Sequence, residues 1–297
     1  MATQHSFPLA HFIASDVRVR GLSAPDCGYR VAWQINPHMV PGSTELDVAE
    51  RQHAAFVRAL RRAGARVDIV PFVRGCYDSV FAKDCALVLD DARGRRALLA
   101  KPRHPQRSAE QLARRGHLRA RGFDVVHAPH HVEGGDIVRM PGGWLVGHGF
   151  RTDPRAASTL REITGEPVLP LELIDAHLYH LDTALAALDD GTVLCCLEAL
   201  SDASRAALLR CPFVRAVVGV PRVDALRFGL NMVQVGKRVV LGGRAPSVER
   251  CLERRGLAPV VVSLSQFHRA GGSAACLVAR VHGAEAARDA LRDRGAC

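Results

Sequence analysis

Hairpins that alternate with helices constrain this chain more than any other feature of its 297 residues. Residues 85–89 with 97–100, 137–139 with 144–147, the run 184–196 and 232–235 with 238–241 each read as two strands about a tight turn. Pro141-Gly142-Gly143, Asp189-Asp190-Gly191 and Gly236-Lys237 supply three of those turns. A helix follows each pair, over about 108–121, from 154, from 201 and over 247–255. A further strand then comes at 123–127, 167–173, 216–220 and 259–264. Near the start, 29–35 alternates as a strand, Ser43 or Thr44 caps a helix, and 66–70 returns before Pro71. The last strand, 276–281, has no partner after it and 29–35 has none before it, so pairing the two closes a ring.

The residues just before each first strand are Asp84, Asp136, Asp182, Asn231 and Cys276, 45 to 52 residues apart. A period of this order signals propellers or arrays. A doubly wound parallel sheet also alternates strands with helices, but it requires long crossovers where this chain has tight turns. The expected fold is an α/β propeller of five pseudo-symmetric blades, with residues 1–26 as an extended lead-in and 27–297 as one domain.

In such a ring the hairpin mouths share one site. Asp84, Glu133 and Asp136 of Glu-Gly-Gly-Asp, His180 and Asp182 of His-Leu-Asp, Asn231 and Cys276 would then converge. If 180–182 is extended, His180 and Asp182 project side by side as a proton-transfer pair. Crowded carboxylates are costly unless a cation neutralises them, either a metal or a cationic substrate. No two candidate ligands show a metal-binding spacing, so no metal and no cofactor is expected. A guanidinium suits better, because its planar fork of donors fits between two carboxylates. With Cys276 as nucleophile and His180 as acid–base partner, the site would break a guanidine C–N bond. The glycines before Cys276 are expected to favour its thiolate through nearby backbone N–H groups.

Composition narrows the partners. The net charge is +10, carried almost wholly by dispersed arginine, and aromatics make up 5% of the residues, which gives poor support for nucleic-acid binding. No apolar run approaches a membrane span, and no signal pattern opens the chain, so the expected location is the cytoplasm. Of the nine cysteines, Cys85, Cys195 and Cys196 lie in apolar runs and read as core, while Cys297 reads as exposed and inert. Homo-oligomerisation is left open.

The succession Phe81-x-x-Asp84, Glu133-Gly134-Gly135-Asp136, His180-Leu181-Asp182 and Gly271-Gly272-x-x-x-Cys276 resembles the guanidine-modifying enzymes, the pentein superfamily. That group includes dimethylarginine dimethylaminohydrolases, arginine deiminases, dihydrolases and amidinotransferases. The resemblance runs from about Tyr29 to Val281 and implies the five-bladed fold. It implies that Cys276 forms a thiouronium intermediate and that His180 is the acid–base group, with Glu133 fixing His180 or the guanidinium. It further implies Asp84, Asp136 and Asp182 around the guanidinium and Arg151 on a substrate carboxylate. Lys101 falls near a second arginine of the family, and Asn231 either supports the site or caps its own loop. Dimethylarginine hydrolases tend to carry lysine after the His-Leu pair, so Asp182 leans toward an unsubstituted guanidinium. An amidinotransferase, an arginine dihydrolase and a non-catalytic ribosome-binding propeller are the rivals. Residues 38–45 are the expected lid.

Overall fold

A computed structural model describes residues 10–283. Its strands fall into five units of one topology, an antiparallel pair whose second strand takes a parallel third. β1 (Ala10–Ser15) and β2 (Ala65–Val70) run parallel, and β1 lies antiparallel to the final strand β15 (Val278–Gly283). β3 (Ala86–Asp91), β4 (Gly94–Leu99) and β5 (Asp124–His127) repeat the pattern. So do β6 (Ile137–Met140), β7 (Gly143–His148) and β8 (Val168–Glu172). β9 (Leu185–Ala187), β10 (Thr192–Cys195) and β11 (Ala216–Gly219) form the fourth unit. β12 (Val233–Val235), β13 (Arg238–Leu241) and β14 (Ala258–Val261) form the last. β15 also runs parallel to β3, which joins two units into one sheet of six strands. The expected α/β alternation holds.

A helix links the last two strands of each unit. Leu46–Arg62 shows why: Ala49, His53, Phe56, Val57 and Leu60 fall on one face and are buried. Asp47 in the first turn and Arg61 and Arg62 in the last suit the helix dipole. Gly165, left-handed at φ 69°, ends Ala156–Thr164. The core lies between helices and sheets, with Phe12, Phe56, Leu60, Val67 and Phe267 in one cluster and Leu145, Leu171, Leu194, Val239 and Leu252 in another. A cavity of about 140 Å³ is lined by Leu87, Val138, Ala186, Val233 and Ala279, one residue from the first strand of each hairpin and from β15. Among the described residues, no helix is long and apolar enough to cross a membrane.

The first strand is displaced from its expected place. Ala10–Ser15, read as lead-in, is the strand that pairs with β15, whereas 29–35 forms no strand. The reason is burial on both faces: five of the six β1 residues are buried, so the segment reads as an apolar run without alternation. Tyr29 and Val31 are buried for another reason, since Tyr29 stacks on Phe267 at 5.0 Å and donates to the Gln266 carbonyl at 2.8 Å. Neither Ser43 nor Thr44 caps the helix, since Glu45 is the residue before its first turn, and the Thr44 hydroxyl accepts from the Val31 N–H at 3.2 Å. We expect Phe12→Ala to cost about 3–5 kcal/mol of stability in denaturant unfolding. A cost within about 0.5 kcal/mol would return the segment to the role of a tail.

Candidate active site

The residues expected at the hairpin mouths come together, on short turns that end where a first strand begins. Asp84 lies on Ala82–Cys85, Asp136 on Gly134–Asp136 and Asp182 on Leu181–Ala184, while Asn231 and Cys276 precede β12 and β15. His180 is the extended residue before a single helical turn, so the His-x-Asp pair is not in a strand and its two side chains diverge. His180 turns to Glu133 and Asp84, and Asp182 turns to Cys276.

Close approach explains the glycines. A Cβ at Gly134 would sit 1.9 Å from the Lys83 carbonyl oxygen, and one at Gly135 would sit 2.5 Å from His180 Nδ1. At Gly272 it would meet the Phe81 ring at 2.4 Å. Gly271, at φ 83°, faces Asn36, whose amide donates to the Ala270 carbonyl at 3.0 Å. Residues 38–45 form turns, and His38 Nε2 lies 2.8 Å from the His177 carbonyl.

Glu133 is the hub of the acid–base side. Its Oε1 accepts from the Arg103 N–H at 2.8 Å, and its Oε2 lies 3.0 Å from both Arg151 Nη1 and His180 Nε2. Burial opposes its charge, but Arg151 and His180 outweigh burial and hold the carboxyl well below the usual range. For His180, burial disfavours the charged ring, and Asp84, Asp136 and Glu133 overcome that to raise it to about 9. Its Nδ1 has no hydrogen-bond partner and lies 3.7 Å from Asp84 Oδ1. Asp136 is fully buried, accepts from the Leu181 N–H at 2.9 Å through Oδ1, and is pushed up to about 7 by burial. It braces the turn that carries His180 and Asp182, and it offers no surface to a ligand.

Cys276 is buried, and its Sγ accepts from the Asn231 amide at 3.1 Å while its own N–H donates to Asn231 Oδ1 at 3.2 Å. Asn231 is thus fastened to the nucleophile candidate on two sides. The Asp182 oxygens lie 3.7 and 3.8 Å from Sγ. Burial pushes the thiol well up, Asp182 and Asp84 push it further, and a backbone hydrogen bond at Ser273 and the Lys83 charge only oppose this. The surroundings of Cys276 thus work against the thiolate that its glycines were expected to favour.

The carboxylates do not wait for a bound cation. Arg107 Nη1 meets Asp84 Oδ2 at 2.5 Å and its Nη2 meets Glu110 at 2.7 Å, while Lys83 Nζ holds Asp182 Oδ2 at 2.9 Å. Arg151, expected to grip a substrate carboxylate, has its terminal nitrogens on Glu133 and on the Ile35 carbonyl. Lys101 is exposed and donates to the Pro129 carbonyl at 3.1 Å. Sequence reasoning missed Lys83, Arg107 and Asp78. Lys83 adjoins Asp84, and Arg107 with Glu110 is an i, i+3 pair, which were the available signals. Asp78 accepts from Trp33 Nε1 at 2.7 Å and leaves its buried Oδ1 unpartnered. Asp84, Glu133 and His180 form a group with metal-ligand spacing, yet a metal there would share its carboxylates with Arg107 and Arg151.

No protein-family model matches the chain. The dimethylarginine dimethylaminohydrolase of Mycobacterium tuberculosis is 36% identical over 260 residues, 87% of this chain and 84% of that protein. The chain belongs to the pentein superfamily of guanidine-modifying enzymes. Within that superfamily it is a dimethylarginine dimethylaminohydrolase-like member. A Nostoc bifunctional arginine dihydrolase/ornithine cyclodeaminase is 29% identical over 89% of this chain, which spans 38% of that protein. Among solved structures, the substrate-bound N-terminal domain of the cyanobacterial arginine dihydrolase ArgZ superposes with TM-score 0.83 at 25% identity, covering 92% of this pentein and 99% of that domain.

The raised His180 carries a pH signature. Its protonated form stabilises the fold fully below its ordinary value of 6.5, and that contribution is lost as pH rises through about 9. Denaturant-measured stability is expected to fall over that window, and more weakly so in His180→Gln. Glu133→Gln is expected to lower the imidazole titration, followed by NMR, by at least about one unit. An unmoved titration would remove Glu133 as its partner.

Proposed function

We propose that this pentein hydrolyses a guanidine C–N bond of arginine or an N-substituted arginine through a covalent Cys276 adduct. The observation that carries the reading is the buried thiol, 3.7 Å from Asp182 and fastened by Asn231, on the same set of loop ends as the His180–Glu133 pair. A guanidinium beside Asp182 brings positive charge to Sγ and favours loss of the thiol proton to solvent, while His180 keeps its own proton for the departing nitrogen. The thiolate forms an S–C bond to the guanidine carbon, and the C–N bond to the departing nitrogen breaks as His180 protonates it. The thiouronium then takes the oxygen of a water whose proton passes to His180, and the S–C bond breaks. The products are citrulline and ammonia or an alkylamine.

In this reading Asp84 and Asp182 hold guanidinium nitrogens, Glu133 holds His180, and Asp136 and Arg151 position those two groups. Lys101, exposed beside Val132, meets the substrate carboxylate. The five strand units are the blades of a propeller closed by β1 and β15, and the described residues make one catalytic domain acting on a small molecule in the cytoplasm. A dihydrolase that carries arginine on to ornithine is the second reading, favoured by the ArgZ superposition at TM-score 0.83 against 0.69 for a dimethylarginine dimethylaminohydrolase structure.

A panel of arginine, methylated arginines, agmatine and citrulline tests both readings, scored for ammonia, alkylamine, citrulline and ornithine. Citrulline with an alkylamine or ammonia supports the first reading, and ornithine from arginine supports the second. Cys276→Ser is expected to lower kcat by roughly 10³-fold or more with the fold retained. Turnover that survives this change would move the nucleophile elsewhere.

A further inference from the structure

Lys83 carries an inference that rests on Cys276 being the nucleophile. Its backbone is pinned between the two halves of the site. The Lys83 N–H donates to the Cys276 carbonyl at 3.2 Å, and the Lys83 carbonyl fills the space where Gly134 would bear a Cβ. The side chain of Lys83 meets Asp182 Oδ2 at 2.9 Å and lines the cavity, whereas its neighbour Asp84 meets Arg107. Both Asp182 oxygens lie beside the sulfur, the Lys83-bound Oδ2 at 3.7 Å and Oδ1, which Lys83 does not hold, at 3.8 Å from Sγ.

Among the described residues, Asp182, Asp84, Lys83 and Tyr179 act on Cys276 through their charge, and Lys83 is acted on by Asp182, Asp84 and Cys276 and shares its cavity with Arg139, Asp189, Arg280 and His282. Lys83 is the cation among the groups facing a sulfur that otherwise confronts two carboxylates. We propose that Lys83 is a positioning residue for the nucleophile: it tethers Asp182 by one oxygen, leaves the other to the guanidinium, and offsets the negative charge against which Sγ must ionise. The ammonium is suited to this, because Asp182 outweighs the burial that works against its charge and holds it above its ordinary value.

The test is the pH dependence of alkylation at Cys276, read by peptide mapping in the full chain. Lys83→Met and Lys83→Gln are expected to move the apparent ionisation of Cys276 up by about one pH unit or more, which slows alkylation about tenfold at neutral pH. Lys83→Arg is expected to titrate near the parent. On substrate, kcat/KM of the neutral variants should fall by about tenfold near neutral pH, with the gap narrowing as pH rises. A folded Lys83→Met or Lys83→Gln variant with the parent's alkylation profile would overturn the proposal. If neither neutral variant folds, Lys83→Arg decides, and a shifted Arg profile contradicts a role through charge. The two readings separate in the parent: alkylation of Cys276 that leaves turnover intact removes the nucleophile assignment itself, whatever Lys83 does.

Discussion

Three carboxylates of the candidate site are each buried beside a cation, and the rest of the site depends on those pairings. Glu133 has Arg151, Asp84 has Arg107 and Asp182 has Lys83. Burying three unpaired carboxylates within a few ångströms of one another would drive protons onto them. Pairing offsets that penalty, and Asp84, Asp136 and Glu133 together raise His180 to about 9. The pairs also fix direction, since a carboxylate tethered by one oxygen presents the other in a set orientation. Breaking such a pair leaves an uncompensated buried charge, which costs about 3–5 kcal/mol, so these cations serve the fold and the chemistry together.

Much of the fold was legible because tight turns and helix stripes are local signals. The hairpins about Pro141-Gly142-Gly143, Asp189-Asp190-Gly191 and Gly236-Lys237 lie where the turn residues put them. β1 was not legible, because a strand buried on both faces carries no period-two signature, while the alternating 29–35 borrowed one from loop packing. His-Leu-Asp was found as chemistry and misread as geometry: a one-turn helix separates two side chains that a strand would have kept together.

The converging residues were legible through their common place before each first strand. The cations that neutralise them were not, because Lys83 and Arg107 are two of forty basic residues and burial is a tertiary property. The glycines of Glu-Gly-Gly-Asp were noticed as a motif, and their cause is the Lys83 carbonyl and the His180 ring packed against them. Cys85, Cys195 and Cys196 are buried in the core as expected, and burial pushes Cys85 and Cys195 up to about 12. Cys297 lies outside the described residues. Cys276 shares their burial, and like Cys85 it has a carboxylate within 4 Å, but an amide donates to its sulfur.

The central claim is that a bond forms between Cys276 sulfur and a guanidine carbon. Rapid acid quench of the enzyme during turnover of arginine or a methylated arginine, followed by intact-mass measurement and peptide mapping, tests it most directly. The expected result is a transient adduct that carries the substrate skeleton minus the departing amine and maps to the peptide containing Cys276. Steady turnover with no adduct at any quench time, or an adduct on another residue, would contradict it.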